Sequence, residues 1–423
     1  MKEHLITGID IGSSTIRLVA GQVIEGAERR PQLTIIGAAE CASQGISKGV
    51  ITSLEDAVSS ISQGLELLER QTGIPVHEAY VSIGGSCTNV QLAKGVIGVS
   101  RTDSEIRSED VDRALDAART SVNPANYEIL HVLPRSFTID GQSGVKDPVG
   151  MQGIRLEVEA HVVQGLATHV RNLTKTVFRT NIDISELVYT PLAPVEAVTA
   201  SRQREVGVAV VNIGAATTSI AIYEDGELLH ACVLPLGSDH ITQDIAIVLR
   251  TSLDVAEKFK MQYVSADASH VNKQDVLNLR DFGGDSSETV SPRFISEIAQ
   301  ARIEEIFHKV EQELARVNRS GLLPAGVVLT GGGVKLHGMI EMAKQSLRLP
   351  VTIGVCNGIQ SPLTEALQDS AFTTAIGLVQ WGFARERNDD NGRKISFKSG
   401  ARGGEMMKNA GSVVKKIFGS FLP

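Results

Sequence analysis

Gly8-Ile-Asp-Ile-Gly-Ser-Ser-Thr15 and Val211-Asn-Ile-Gly-Ala-Ala-Thr-Thr218 read as two copies of one β-hairpin. In each copy apolar residues flank one polar side chain, glycine and small residues follow, and a second β-rich run comes next, at residues 16–19 and 220–223. Glycine permits a tight turn and the close approach of a ligand, so that exposed N–H groups and hydroxyls face an anion such as phosphate. Two such hairpins predict a duplicated α/β fold that holds a nucleotide between its halves.

The composition is that of a globular protein. The 423 residues are 42% hydrophobic and 21% charged, which suits roughly two to four compact units. Aromatic residues make up only 4% of the chain, and the formal net charge is −8. A nucleic-acid binder is therefore unlikely to have this sequence, because that class uses basic faces and stacking aromatics.

The cysteines and the N-terminal sequence indicate a cytosolic location. Cys41, Cys87, Cys232 and Cys356 are far apart and form no Cys-x-x-Cys motif, so we expect reduced thiols in the cytosol. A strand is predicted almost at the first residue, which leaves no room for a signal peptide. No run approaches the ~20 apolar residues of a membrane span. We therefore expect the body of the chain to be soluble.

Apolar periodicity divides the body into strands and helices. A helix is predicted at 54–71 with Gly73 as its cap, a strand at 326–329 followed by a helix from His337, and a last helix at 371–383. Residues 86–164 have a different pattern and predict an α+β insertion, with strands at 96–99, 127–133, 136–139 and 156–163.

Three stretches offer groups for a nucleotide. The turn and the hydroxyls of the first hairpin belong to Gly12, Ser13, Ser14 and Thr15. The facing groups of the second hairpin belong to Asn212, Gly214, Thr217 and Thr218. Gly331-Gly332-Gly333 follows a buried strand and suits a flat or anionic ligand part at a helix N-terminus. Asp10 is placed to hold Mg²⁺ through water. Singly, each stretch is also an ordinary turn or corner, and their order in two related halves favours the nucleotide interpretation.

This ordered set is similar to the actin, sugar-kinase and heat-shock-chaperone superfamily. Within it, the chain resembles the FtsA family of bacterial cell-division proteins, from about residue 5 to about 380 and again at the C-terminus. The most specific stretches lie outside the nucleotide motifs: Glu128-Ile-Leu-His-Val-Leu-Pro134, Lys146-Asp-Pro-Val-Gly-Met-Gln-Gly-Ile-Arg-Leu-Glu-Val-Glu159 and Gly237-Ser-Asp-His-Ile-Thr-Gln-Asp-Ile-Ala246.

The resemblance implies an actin-like, ribonuclease-H-like duplicated α/β fold with a nucleotide cleft and an FtsA-type insertion. Its implied parts are residues 1–83 with 166–199 (subdomain 1A), 84–165 (insertion 1C), 200–260 with 325–384 (2A), 261–324 (2B), a flexible linker at 385–409 and an amphipathic membrane-targeting helix at 410–423. It also implies ATP with Mg²⁺ in the cleft, where Glu257 and Lys260 would border the adenosine and ribose. By themselves, these two residues also read as an exposed helix pair of small energetic value.

The second hairpin departs from the family pattern Asp-Ile-Gly-Gly-Gly-Thr-Thr-Asp. Asn212, Ala215, Ala216 and Ser219 replace its first acid, two glycines and last acid. Asn212 can offer an oxygen but cannot act as a base, and a lost general base costs ~10²–10⁴-fold in rate. We expect bound ATP, weak or absent hydrolysis and no catalytic residue. The alternative is a cleft that has become structural and binds nothing.

The C-terminal segment has the pattern of an interfacial helix. Its apolar residues recur at spacings of three and four, with two lysines off that face: Val413, Val414, Ile417, Phe418, Phe421, Leu422, and Lys415 and Lys416. Burying about five of these side chains yields roughly 1.5–3 kcal/mol each before ordering costs, enough for reversible membrane attachment. A helix docked on its own domain is the alternative, but it would need no polar linker.

By resemblance, the function is that of a cell-division protein that tethers FtsZ filaments to the cytoplasmic face of the inner membrane at the division site. The implied partners are the C-terminal tail of FtsZ at residues 261–294 and the neighbouring long helix, further copies of the chain, later division proteins at the insertion, and the membrane, with no nucleic acid. Alternatives are an ATP-dependent phosphotransferase, which needs the missing acids, and a pilus-assembly actin homologue, which lacks the amphipathic tail.

Overall fold

The computed structural model describes residues 4–25, 31–122, 125–282, 289–356, 359 and 364–390. The first part of the chain forms these elements: β1 His4–Ile11, β2 Thr15–Glu25, β3 Pro31–Ala42, β4 Ile46–Ser47, β5 Val50–Ile51, α1 Leu54–Thr72 and β6 Glu78–Ile83. Gly73 ends α1 in the left-handed conformation, with φ of 71°. The predicted cap is confirmed, because glycine takes this conformation without a Cβ clash.

The insertion is a separate antiparallel sheet with one helix. Its elements are β7 Thr88–Gly98, α2 Ser108–Ser121, β8 Tyr127–Ile139, β9 Gln142–Val145 and β10 Arg155–Leu166. The strand order is β7-β10-β8-β9. The predicted strand at 96–99 was too short, because pairing with β10 extends β7 from Thr88 to Gly98.

The prediction of two strands at 127–133 and 136–139 was wrong, because β8 runs through Pro134 as one strand. A bulge lets Ala160 pair with Pro134 and Glu159 with Ser136. Proline removes a ladder donor, which is why the sequence seemed to break here. The strand tolerates it because β9 pairs only beyond this point, at Phe137 and Ile139.

Four elements lead from the insertion to the second half: α3 Ala167–Phe178, β11 Asp183–Tyr189, α4 Ala193–Val198 and α5 Ser201–Val206. With β11 the first sheet is complete, in the order β11-β6-β1-β2-β3. β2 is antiparallel to both β1 and β3, whereas β6 runs parallel to β1 and β11 runs parallel to β6.

The second half contains β12 Val208–Ile213, β13 Thr218–Glu224, β14 Glu227–Leu234, α6 Ser238–Leu249, α7 Leu253–Tyr263, β15 Leu277–Asn278, β16 Thr289–Val290, α8 Pro292–Arg316, β17 Val327–Thr330, α9 Met339–Leu347, β18 Val351–Ile353, α10 Thr364–Gln368 and α11 Thr373–Asp390. Its sheet order, β14-β13-β12-β17-β18, repeats that of the first sheet. Asp10 pairs with Arg17 across the first hairpin, and Asn212 pairs with Ser219 at the equivalent place in the second. The predicted duplicated α/β fold is confirmed.

Two predicted boundaries near the C-terminus were wrong. The triple glycine leads into a 3₁₀ turn at Gly332–Lys335, and α9 begins only at Met339. α11 extends to Asp390, into the predicted linker at 385–409. Arg385 explains the extension, because its guanidinium donates to the Glu186 carboxylate of β11 at 2.9 Å.

Further expectations concern the cysteines, membrane-spanning helices and the C-terminal segment. All four cysteines are free thiols. Within the described ranges, no helix combines the length and apolar character needed to cross a bilayer. The rest of the predicted linker, 391–409, and the predicted membrane helix, 410–423, lie outside the described residues.

Helix α11 packs so closely on the first sheet and on α4 that only glycine fits at two contacts. A Cβ on Gly8 of β1 would lie 2.4 Å from the carbonyl oxygen of Ala375. A Cβ on Gly377 would lie 1.8 Å from the carbonyl oxygen of Ala193. Both contacts are with backbone, which cannot move aside as a side chain can.

We therefore expect Gly377→Ala to lower the free energy of unfolding by about 1–3 kcal/mol, the usual range for overpacking, despite the better helix propensity of alanine. Gly98→Ala is the matched control, because its Cβ would meet nothing closer than the Ile154 carbonyl oxygen at 4.0 Å. Urea denaturation measures both variants. Equal midpoints for Gly377→Ala and the wild-type chain would contradict the close packing.

Candidate functional site

One cavity of about 370 Å³ lies between the two hairpins, within the usual size of small-ligand pockets. All of the predicted nucleotide residues except Thr218 line it: Asp10, Gly12, Ser13, Ser14, Thr15, Asn212, Gly214, Thr217, Glu257, Lys260, Gly331, Gly332 and Gly333. Thr218 is buried instead, and its hydroxyl donates to the Leu236 carbonyl at 2.8 Å. Strand alternation explains this, because neighbouring residues face opposite sides of β13.

The first hairpin presents Asp10 at the floor of the cavity. The Ser82 hydroxyl donates to Asp10 Oδ1 at 2.8 Å and accepts from the Ile11 N–H at 3.0 Å. Burial raises the pKa of Asp10, while the Ser82 hydrogen bond and the charge of Arg17 lower it by less. The carboxylate therefore lies in a site that favours a neighbouring cation.

The turn of the first hairpin is held against a second loop. Gly49 N–H donates to Ser13 Oγ at 3.0 Å. A Cβ on Gly12 would lie 2.5 Å from the Thr15 carbonyl oxygen, so the turn closes only with glycine there. The hydroxyls and N–H groups of this turn consequently border the cavity in a fixed arrangement.

The second hairpin meets the triple-glycine loop at van der Waals distance. Asn212 Nδ2 donates to Thr374 Oγ1 of α11 at 3.1 Å. A Cβ on Gly331 would lie 2.3 Å from Asn212 Oδ1, and the residue has a φ of 92°. Opposite, Ser219 Oγ is buried in the cavity wall without a hydrogen-bond partner in the protein. The triple-glycine loop therefore presents backbone without side chains to the cavity, close to the Ser219 hydroxyl, which could bond to a ligand.

The second hairpin also rests on the start of α6. The N–H groups of Ser238 and Asp239 donate to the carbonyl oxygens of Gly214 and Ala215, at 2.9 and 2.8 Å. A Cβ on Gly237 would lie 2.4 Å from the Ala215 oxygen. Burial raises the pKa of Asp239, and the nearby Lys260 opposes that shift. The start of α6 therefore fixes the hairpin turn from behind.

Lys260 is buried in a hydrogen-bonded network with Glu257 and Thr242, whereas the Glu257 side chain remains 46% exposed. Lys260 is only 5% exposed. Its ammonium lies 2.7 Å from Glu257 Oε2 and donates to the Thr242 hydroxyl at 2.9 Å. The Thr242 hydroxyl in turn donates to Glu257. The interpretation as a weak surface pair is wrong for Lys260, because the contact with α6 removes it from water.

Several cavity residues were missed by the sequence analysis: Arg17, Ser82, Gly84, Gly85, Thr190, Asp239, Lys335 and Thr374. Gly84 and Gly85 carried a signal, since two glycines follow a strand there. Ser82 and Thr190 line the cavity only because β6 lies beside β1 and β11 lies beside β6 in the sheet. The sequence around Ser82 and Thr190 has no motif that indicates these contacts, because they depend on strands that are distant in the chain.

The donor set fits a nucleotide with its metal. The hairpin turns supply N–H groups and hydroxyls, which suit phosphate. Gly331 and Gly333 lie too close to the second hairpin for a Cβ, so the loop presents bare backbone to the cavity. Asp10 has the single carboxylate that a water-bridged Mg²⁺ needs. The second hairpin supplies no carboxylate, because Asn212 and Ser219 occupy the paired positions.

The paired five-stranded sheets and the cavity between their hairpins define an actin-like protein. Solved structures agree with this fold. The PilM–PilN type IV pilus biogenesis complex has a TM-score of 0.65 at 17% identity, covering 89% of this chain and 98% of that chain. MreB5 of Spiroplasma citri bound to AMPPNP has a TM-score of 0.55 at 11% identity, covering 93% of this chain and 100% of that chain.

Sequence comparison identifies the family within this class. Residues 209–377 match the family described as "Cell division protein FtsA", and residues 85–164 match "SHS2 domain inserted in FTSA". The protein of that first name from Pseudomonas aeruginosa is 32% identical over 382 residues, which cover 90% of both chains. The Bacillus subtilis protein is 34% identical over 395 residues, covering 93% of this chain and 87% of its own. The chain belongs to the FtsA family of cell-division proteins.

The burial of Asp10 makes stability depend on pH in a defined direction. A folded-state pKa above the unfolded value means that stability falls as pH rises through the interval between the two values. In nucleotide- and metal-free protein at pH 7, we expect Asp10→Asn to raise the free energy of unfolding, because the neutral amide removes the cost of a buried charge. The gain should vanish near pH 4.

Urea denaturation between pH 4 and 8 measures this difference. Asp183→Asn is the control, because Asp183 is an exposed aspartate on β11. An Asp10→Asn effect that is negative, or that is constant across this range, would contradict the burial of an ionised carboxylate in the cavity.

Proposed function

We propose that this chain is an ATP-binding cell-division protein that polymerises and tethers FtsZ filaments to the cytoplasmic membrane at the division site. In this proposal ATP acts as an assembly ligand and is hydrolysed weakly or not at all. The observation that carries it is the asymmetry of the cavity. Asp10 stands on the first hairpin, whereas Asn212, hydrogen-bonded to Thr374, stands at the equivalent place on the second.

Different cavity residues would bind different parts of the nucleotide. The hairpin turns would hold the phosphates through backbone N–H groups and the hydroxyls of Ser13, Ser14, Thr15 and Thr217. The Gly331-Gly332-Gly333 loop would lie against the adenosine, with the Glu257–Lys260 pair beside the ribose. Bound Mg²⁺ supplies positive charge to the phosphates, and Asp10 would hold it through water. MreB5, whose fold is similar, is described as bound to AMPPNP and to ADP.

Weak hydrolysis follows from the chemistry of the second hairpin. A water that attacks phosphate needs a group to accept its proton. Asn212 cannot do so, since an amide nitrogen is a donor only and its oxygen is not basic. Ser219, across the hairpin from Asn212, offers a hydroxyl where the family pattern has an acid. An active phosphotransferase on this fold is accordingly disfavoured.

The tether has two proposed attachment points. The first is the region 261–294, of which Ser265 and Ala268 contact α8. Ser265 N–H donates to Ser296 Oγ and Ala268 N–H donates to Gln300 Oε1, both at 3.1 Å. Phe294 is exposed beside it, and exposed aromatic anchors suit peptide recognition. We place the FtsZ tail here and the membrane at residues 410–423.

We expect the wild-type chain to bind Mg·ATP in calorimetry and to release phosphate with no steady multiple turnover. Asn212→Asp restores a carboxylate opposite Asp10 and should raise turnover by ~10²–10⁴-fold, the range of general-base effects. Asn89→Asp, on β7 of the insertion, is the matched control outside the cavity. Continuous phosphate release by the wild-type chain would overturn the proposal of weak hydrolysis, and absence of ATP binding would overturn the nucleotide site.

Tethering can be measured by co-sedimentation of FtsZ with anionic liposomes. We expect FtsZ to sediment with the liposomes only when the wild-type chain is present. Phe418→Glu should abolish this, because it places a charge on the predicted apolar face. Ser412→Glu adds the same charge on the opposite side of the predicted helix and should leave sedimentation unchanged. Equal sedimentation with both variants would contradict membrane attachment through this face.

A further inference from the structure

A group of metal-ligating side chains lies away from the nucleotide cavity, where β14 meets α8. His230 and Cys232 are two residues apart on β14, so their side chains emerge on the same face of this edge strand. Glu313 reaches the same point from the last turns of α8. Their ligand atoms all lie within 4.8 Å of one another.

The spacing of these atoms is close to that of a coordination site. His230 Nε2 lies 2.9 Å from Glu313 Oε2. A tetrahedral ion with bonds of about 2.0 Å to nitrogen and oxygen holds two such atoms about 3.3 Å apart. A movement of a few tenths of an ångström would therefore admit an ion between them, with the Cys232 sulfur as a third ligand.

The burial of Glu313 is costly without a strong partner. Its side chain is 5% exposed, and a buried carboxylate needs a counter-charge and hydrogen bonds. Arg316 supplies one contact at 2.9 Å, but the Arg316 side chain is 68% exposed and lies one turn away on the same helix. Surface pairs of this kind contribute little. The Cys232 thiol also makes a hydrogen bond with Glu313, which brings its sulfur into the same group of ligand atoms.

We propose that His230, Cys232 and Glu313 bind one Zn²⁺ ion, or a similar borderline-soft divalent ion, with water in the fourth position. Nitrogen, sulfur and carboxylate oxygen are the donors that zinc selects among protein side chains. The Cys232 thiol gives up its proton to solvent on ligation, so that thiolate and carboxylate balance the ion's two charges. Arg316 stays on the outer oxygen of Glu313, as an orienting partner of that ligand.

The consequence is a link between two elements that the backbone connects only distantly. The ion would join the edge strand of the second sheet to the C-terminal end of α8. β14 also contacts β7 and β8 of the insertion, and the Lys146 ammonium of the insertion donates to the Asp225 carbonyl of the turn before β14, at 2.5 Å. A bound ion would thus stiffen the strand against which the insertion rests.

Cobalt(II) tests the site directly, because a cobalt–thiolate bond gives a near-ultraviolet charge-transfer band. The untagged full chain, freed of metal by chelation and dialysis, should bind one Co²⁺ per chain with this band, and Zn²⁺ should displace it. Cys232→Ser should remove the band, whereas Cys356→Ser, at another free cysteine, should keep it. His230→Gln and Glu313→Gln should each weaken binding at least tenfold.

Two further measurements use the wild-type chain, so they test the zinc site even if a variant fails to fold. In the wild-type chain, Zn²⁺ should raise the melting temperature and should slow alkylation of Cys232 more than that of Cys87, read by peptide mass. Absence of a one-to-one cobalt complex with the wild-type chain would overturn the proposal. So would a charge-transfer band that persists in folded Cys232→Ser.

Discussion

The close contact of α11 with β1 and α4 is the constraint on which the two-part architecture depends. Gly8 and Gly377 allow backbone to meet backbone there, so the helix cannot shift without opening the first sheet. Its first turn carries Thr374, which accepts from Asn212 of the second hairpin. Farther along, Arg385 is held by Glu186 of β11. One helix therefore sets the distance between the hairpins, and with it the width of the cavity.

Within that frame the two hairpins are equal in geometry and unequal in chemistry. Each ends a central strand and turns back through small residues, with its polar side chain in the same register position. Asp10 keeps a charge that the surrounding burial disfavours, which is tolerable where a cation can be bound. Asn212 instead joins a neutral contact with α11. A duplicated fold has thus kept its symmetry of shape while one copy has lost acidic function.

The contacts between the insertion and the second half of the chain lie outside the cavity. The insertion, which matches the domain found in that family, touches the second half through β14 and the Lys146 contact. Two of the proposed zinc ligands, His230 and Cys232, lie on that same strand, and the third, Glu313, reaches it from α8. Under the proposed function, in which nucleotide is held and scarcely hydrolysed, such contacts between parts would control assembly, and β14 is where several of them meet.

Local patterns in the sequence determined much of this protein. Apolar periodicity and a glycine cap predicted α1, and the paired hairpins predicted both the duplication and the two turns that border the cavity. The tertiary structure decided what depends on neighbours distant in sequence. β8 continues through Pro134 because its edge is free there, Lys260 is buried because α6 covers it, and Ser82 enters the cavity because β6 pairs with β1. Sequence periodicity records which face of an element is apolar, but only the packing of distant segments determines what that face meets.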